Sequence, residues 1–109
     1  MQLEVTEVLW LEQHELSLPE LAELSGLPPA LLEELLDCGA IAPLKLQRVR
    51  TELRFGSAAL RTARAAGRLR ADFELDLQAL VLALGLLERV ADLEAQLREL
   101  RARQPQPIL

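Results

Sequence analysis

From Ala79 to Leu100 the apolar residues Ala79, Ala83, Leu86, Val90, Leu93, Leu97 and Leu100 recur at alternating spacings of four and three, with no proline in the run. That alternation keeps a seam on one face of an α-helix, as the a and d positions of a coiled coil do. A chain of 109 residues has the length of one domain. So little core cannot also cover a seam of three heptads. The seam therefore predicts a homodimer, with Leu86, Val90, Leu93, Leu97 and Leu100 as its dimerisation residues. Leu80, Leu84 and Leu87 form a neighbouring stripe expected to pack on the chain's own first helices. Folding the whole helix back on the preceding one is disfavoured, because at about 1.5 Å per residue the part beyond Val90 outruns it.

Half the residues are apolar, yet only Trp10, Phe55 and Phe73 are aromatic. An interior of Leu, Ala and Val favours packed helices over a sandwich. The single cysteine, Cys38, excludes an internal disulfide and reads as a small buried hydrophobe. No cluster of Cys and His has metal-ligand spacing, and no cofactor motif is present. Without a charged leader followed by an apolar stretch, or a run long enough to span a bilayer, the expectation is a soluble, cytoplasmic protein.

The net charge of −5 conceals a segregation. Residues 1–37 hold nine acids and no Lys or Arg, for −9; residues 38–71 hold eight basic groups and one acid, for +7; residues 72–109 hold four and seven, for −3. Mutual neutralisation of the first two blocks within the fold is the simplest reading of that contrast, and it accounts for the basic block better than for the more heavily charged acidic one.

Local signals divide the chain. Residues 3–13 suit either a helix or a strand, and Val5, Val8, Leu9, Trp10 and Leu11 favour a first strand ending near Glu15, with Trp10 in the core and His14 on the strand. Ser17-Leu18-Pro19-Glu20 is a capping box with proline in the first turn. It opens a short helix that Gly26 ends in a tight turn, and Pro28-Pro29 opens a second helix closed by Gly39. Leu18, Leu21, Leu24, Leu27, Leu31, Leu32 and Leu35 are the candidate core, leaving Glu33, Glu34 and Asp37 outward. Residues 44–55 alternate loosely, as a two-stranded wing would. Gly56-Ser57 is the expected stop and cap before a third helix over about residues 58–71, with Arg61, Arg64 and Arg68 on one face and Ala59, Ala63 and Ala66 on the other. Asp76 can cap the last helix, which reaches about Arg103 before Gln104-Pro105. The predicted organisation is a winged helix-turn-helix head over residues 1–73, a coiled-coil helix over 74–103 and a disordered tail over 104–109.

The second helix occupies the place of a groove-reading helix and has the wrong charge for it. Phosphates are met by cations that displace counterions, and bases are read by Arg, Lys, Asn or Gln. The stretch from Pro28 to Cys38 has none of these. Nucleic acid is therefore disfavoured, and the architecture points to a partner protein that is itself basic. Glu33, Glu34 and Asp37 are the candidate partner-binding residues, with Glu20 and Glu23 behind them; a merely solvated face competes for each of them singly.

Helix-turn-helix, wing, third helix and terminal coiled coil in that order resemble the MerR-type winged-helix family, and within it the CbpM group of chaperone-modulatory proteins. The likeness is carried by Leu35-Leu36-Asp37-Cys38-Gly39-Ala40-Ile41-Ala42-Pro43, by Leu53-Arg54-Phe55, and by Leu75-Asp76-Leu77 leading into Ala79-Leu80-Val81-Leu82-Ala83-Leu84-Gly85-Leu86-Leu87. Leu53 and Leu77 stand where that group usually carries aromatics. The resemblance implies a mainly α, MerR-like head on a long dimerisation helix. It also implies a dimer that binds the J-domain of a DnaJ- or CbpA-type co-chaperone and inhibits its stimulation of DnaK. An assembly factor holding DnaK and DnaJ together is a variant of that function. The rival is a DNA-binding regulator gripping phosphates through Lys45, Arg48, Arg50, Arg54 and Arg61. No catalytic constellation is present, so enzymatic activity is not expected.

Overall fold

A computed structural model describes residues 4–6, 10 and 14–105. From Leu18 onward, among the described residues, the helices are α1 (Leu18–Ser25), α2 (Pro29–Asp37), α3 (Ser57–Phe73) and α4 (Leu77–Arg103), with a 3₁₀ turn at Arg50–Glu52 between α2 and α3.

The boundaries have local causes. The Ser17 hydroxyl accepts from the Glu20 amide at 3.3 Å, and the Glu20 carboxylate accepts from the Ser17 amide at 3.0 Å, so the capping box forms in full. Gly26 takes φ 75° at the end of α1, a left-handed conformation that a Cβ would strain. Pro29 starts α2, where its missing amide proton costs nothing, and Gly39 at φ 82° turns the chain away from it. The Ala40 amide then closes on the Leu35 carbonyl at 3.0 Å. For α4, Asp76 accepts from the Ala79 amide at 2.8 Å. At α3 the expected cap is displaced by one residue: Gly56 is the capping residue, without a side-chain bond, and Ser57 is already helical. That helix also runs two residues beyond the expected end, to Phe73, and stops where Glu74 turns left-handed at φ 51°.

One core joins these elements. Leu16, Leu21, Leu32, Leu35, Phe55, Leu60 and Leu80 are its fully buried large side chains. Each such burial stabilises by about 1.5–3 kcal/mol before entropy is counted. Ala59, Ala63 and Ala66 are buried along α3 as their spacing predicts, and they let α1 approach closely. Gly67 continues that approach: a Cβ there would lie 3.1 Å from the Ser25 carbonyl oxygen.

Several expectations fail. Val5, Thr6 and Trp10 are helical, and the His14 amide donates to the Trp10 carbonyl at 2.9 Å, so the first strand is replaced by helical backbone at every described residue before His14 except Glu4; the remainder of 3–13 lies outside the described residues. Phe55 pairs instead with Leu16, in an isolated antiparallel bridge with both bonds at 2.8 Å. Trp10 is exposed rather than in the core and stacks on the exposed His14 with ring centres 4.4 Å apart. Leu24 is likewise exposed, and so is Cys38, whose thiol donates to the Leu35 carbonyl at the solvent-facing end of α2.

The two-stranded wing is also corrected. Residues 44–55 form a loop closed at its base by the Leu44 amide on the Arg54 carbonyl at 2.9 Å. A hairpin without a buried face is marginal. Leu44, Leu46 and Val49, which would have supplied that face, are exposed. Finally, α4 packs chiefly on α3, not on the first helices; Leu80 and Leu84 are buried there, while Leu87 is exposed. Of the predicted tail, Gln104 and Pro105 are exposed and non-helical, and 106–109 lie outside the described residues.

Candidate protein-docking surface

Helix α2 owes its orientation to Leu32 and Leu35, which are buried, and to Leu31 and Leu36, which are packed against the core at partial exposure. A helix pinned by that stripe must turn the remaining positions to water. Glu33, Glu34 and Asp37 are accordingly all exposed, and α2 carries no basic side chain to offset them. On the neighbouring α1, Glu20 and Glu23 are exposed as well.

The acids differ in how far the fold already uses them. Asp37 accepts from the Arg50 guanidinium, a charge-assisted pair that raises the affinity of Arg50 for its proton above the ordinary range, with Glu33 adding to the same field. Glu20 is held in the capping box; its bonds from the Ser17 amide and hydroxyl, and more weakly the charge of Arg54, keep its carboxyl below the usual value of 4.5. Glu23, Glu33 and Glu34 show no hydrogen bond or ion pair among the described residues. The five predicted partner-binding residues thus separate into a ridge of Glu33 and Asp37 one turn apart facing the loop, Glu34 beside it, and the pair on α1. Between the acidic and basic blocks, Asp37 and Arg50 form a direct ion pair.

The basic block is partly committed to structure. Arg54 donates to the Thr51 and Leu53 carbonyls at 3.0 and 2.9 Å, and Arg64 reaches the Leu24 carbonyl at 3.5 Å. Lys45, Arg48, Arg61 and Arg68 are exposed. Sequence reasoning missed that Arg50 joins the loop to α2, although an acid ending a helix thirteen residues before an arginine carries no periodic signal that could have found it. Among the described residues no group of His, Cys, Asp and Glu could hold a metal ion, and no helix is long and apolar enough to cross a membrane.

The second exposed surface is α4. Leu86, Val90, Leu93, Leu97 and Leu100 are each 46–58% exposed, all on the part of the helix beyond its contact with α3. The structure brings these five to one face, as their spacing predicts.

Head, loop and long helix in this arrangement match a known family: the model for the MerR HTH family regulatory protein covers residues 16–102, from the bridge at Leu16 almost to the end of α4. The chain belongs to the MerR helix-turn-helix family. No protein of curated description matches it. As a MerR-family head, α1 and α2 are the helix-turn-helix, and α2 is the helix placed to enter a groove. In this member that helix presents carboxylates.

Proposed function

We propose that this MerR-family protein is a chaperone modulator, which binds the J-domain of a DnaJ- or CbpA-type co-chaperone through α2 and inhibits its stimulation of DnaK. The observation that carries the proposal is the exposure of Glu33, Glu34 and Asp37 on a helix without Lys, Arg, Asn or Gln. A J-domain presents a basic helix to DnaK, and an acidic face of this kind competes for it. Charge complementarity steers the encounter and selects the partner, while half-buried aliphatics beside the acids, Leu31 and Leu36, supply contact area. The seam of α4 makes the protein a homodimer, presenting two heads to two co-chaperones. Inhibition follows if the α2 face and DnaK need the same basic helix.

Binding of an isolated J-domain tests this. Wild type is expected to bind and to suppress J-domain-stimulated ATP hydrolysis by DnaK. Charge reversal of Glu33, Glu34 and Asp37 together abolishes both. Because Asp37 also holds Arg50, the double variant E33K/E34K separates docking from disturbance of the loop, and should weaken binding about 10- to 100-fold. The other MerR-family function, DNA-binding regulation, is favoured by the family itself and by the exposed cations Arg61 and Arg68 on α3. Recovery of DNA by wild type, undiminished in E33K/E34K, together with no J-domain binding, decides for it.

A further inference from the structure

Residues 44–50 carry Lys45, Arg48 and Arg50 and no acid, interleaved with three aliphatic side chains. Leu46 is 92% exposed, Leu44 54% and Val49 51%. Such exposure at a floppy tip would mean little, but this loop is fixed at three points: Leu44 to the Arg54 carbonyl, Arg54 to the Thr51 and Leu53 carbonyls, and Arg50 to Asp37 on α2. Its aliphatics are held out to water beside two cations, Lys45 and Arg48, that have no partner among the described residues.

The chemistry of the surroundings narrows the occupant. Phosphates are met by donors and gain nothing from a leucine at the tip. An anionic bilayer is a plane, and brought against this loop it would also meet Asp37, which pairs with Arg50 of the loop, and the exposed Glu33 one turn before it on α2. A narrow element avoids those acids. An acidic amphipathic helix can lay its aliphatic stripe on Leu46 and Val49 and its flanking carboxylates against Lys45 and Arg48. We propose that the loop is a second protein-docking surface, opposite in sign to α2, which takes an acidic amphipathic helix of a partner protein. One MerR-type head thereby presents adjacent acidic and basic docking edges, linked through the Asp37–Arg50 pair.

The test uses the full chain and a fluorescent amphipathic peptide of Leu and Glu, alongside its Lys counterpart, a DNA duplex and phosphatidylserine vesicles. Leu46 is almost wholly in solvent, so L46E leaves the fold intact. Wild type is expected to bind the acidic peptide. L46E and K45E/R48E should each weaken it by about tenfold or more, with E33K/E34K no weaker than wild type. No binding of the acidic peptide, or binding that L46E leaves unchanged, overturns the proposal. So does a loss confined to L93E/L97E, which places the peptide on the α4 seam, or a loss of duplex or vesicle binding in L46E. J-domain binding measured on the same variants should survive L46E and fail in E33K/E34K, so the loop and the α2 face stand or fall separately.

Discussion

The two parts of α4 both carry aliphatic residues at helical spacing, and they stand in opposite circumstances. From Leu77 to Leu84 the helix lies on α3, with Leu80 and Leu84 buried and Leu77 and Val81 packed against the core at partial exposure. Every residue from Gly85 to Arg103 is exposed, including five aliphatics on one face. At about 1.5 Å per residue that second half extends some 28 Å beyond its support. The first half is held by its own chain and capped by Asp76; the second ends at Gln104 without a side-chain cap. It carries the i,i+4 pair Glu99–Arg103, worth only a few tenths of a kcal/mol. A leucine therefore means different things ten residues apart on one helix. In the first half it belongs to the core of the head, and in the second it lies exposed on one face of the helix, the face proposed as the seam between two copies.

Replacing one leucine in each half is the sharpest way to break that contrast. Leu80→Ala empties a fully buried site where α4 meets α3, and should cost about 2–5 kcal/mol, read as a lowered urea midpoint at any protein concentration. A loss below about 0.5 kcal/mol would mean that α4 is not part of the head's core. Leu93→Glu with Leu97→Glu leaves the head's core untouched and places charge in the seam. The expected result is a monomer by sedimentation, with dissociation raised at least about a hundredfold, equivalent to about 2.7 kcal/mol. Helical circular dichroism should fall as the unsupported half frays, since most of a helix's stability in a protein comes from packing of its apolar face. A double variant that stays dimeric would show that the heads, not the long helices, hold the two copies together.

What could be read from the sequence follows the same division between local and distant causes. The capping box at Ser17, the left-handed turn at Gly26, the start of α2 at Pro29 and the cap of α4 at Asp76 are set by residues within one turn of each other, and all four form as their patterns predict. The a/d spacing placed five residues on one exposed face because a helix needs no other information to do so. The errors arose where the outcome depends on contacts far apart in the chain. Val5 and Trp10 read as strand because β-branched and aromatic residues suit a sheet, but among the described residues the bridge forms between Leu16 and Phe55. The wing's alternation at Leu44, Leu46 and Val49 was genuine, yet alternation makes strands only where one face is buried. At the candidate site, outward Glu33, Glu34 and Asp37 followed from the inward stripe of leucines. The pairing of Asp37 with Arg50 did not, because it joins a helix end to an irregular loop.

The smaller predictions concern α1, which the core holds on one side and the capping box at its start. Ser17→Ala removes the hydroxyl that accepts from the Glu20 amide and should cost about 1 kcal/mol, far less than Leu80→Ala, read in the same urea titration. Loss of the other half of the box should be visible only as a dependence on pH. Because bonds from Ser17 lower the carboxyl of Glu20 below its ordinary 4.5, the ionised form is the one the folded state favours. Its contribution is therefore fully present above 4.5 and is lost as the pH falls through the lowered folded value, where the carboxyl takes up its proton. Glu20 lies at the surface, so solvent screens the effect and it should be the weakest of the set. The measurement is the difference in melting temperature between wild type and Glu20→Gln, followed from about pH 6 to about pH 3, across the ordinary carboxylate range. Wild type should melt higher at the upper end and lose that advantage on acidification. A difference that is constant across the range would mean that the carboxylate's charge is irrelevant to the cap, leaving the Ser17 hydroxyl to hold the start of α1 alone.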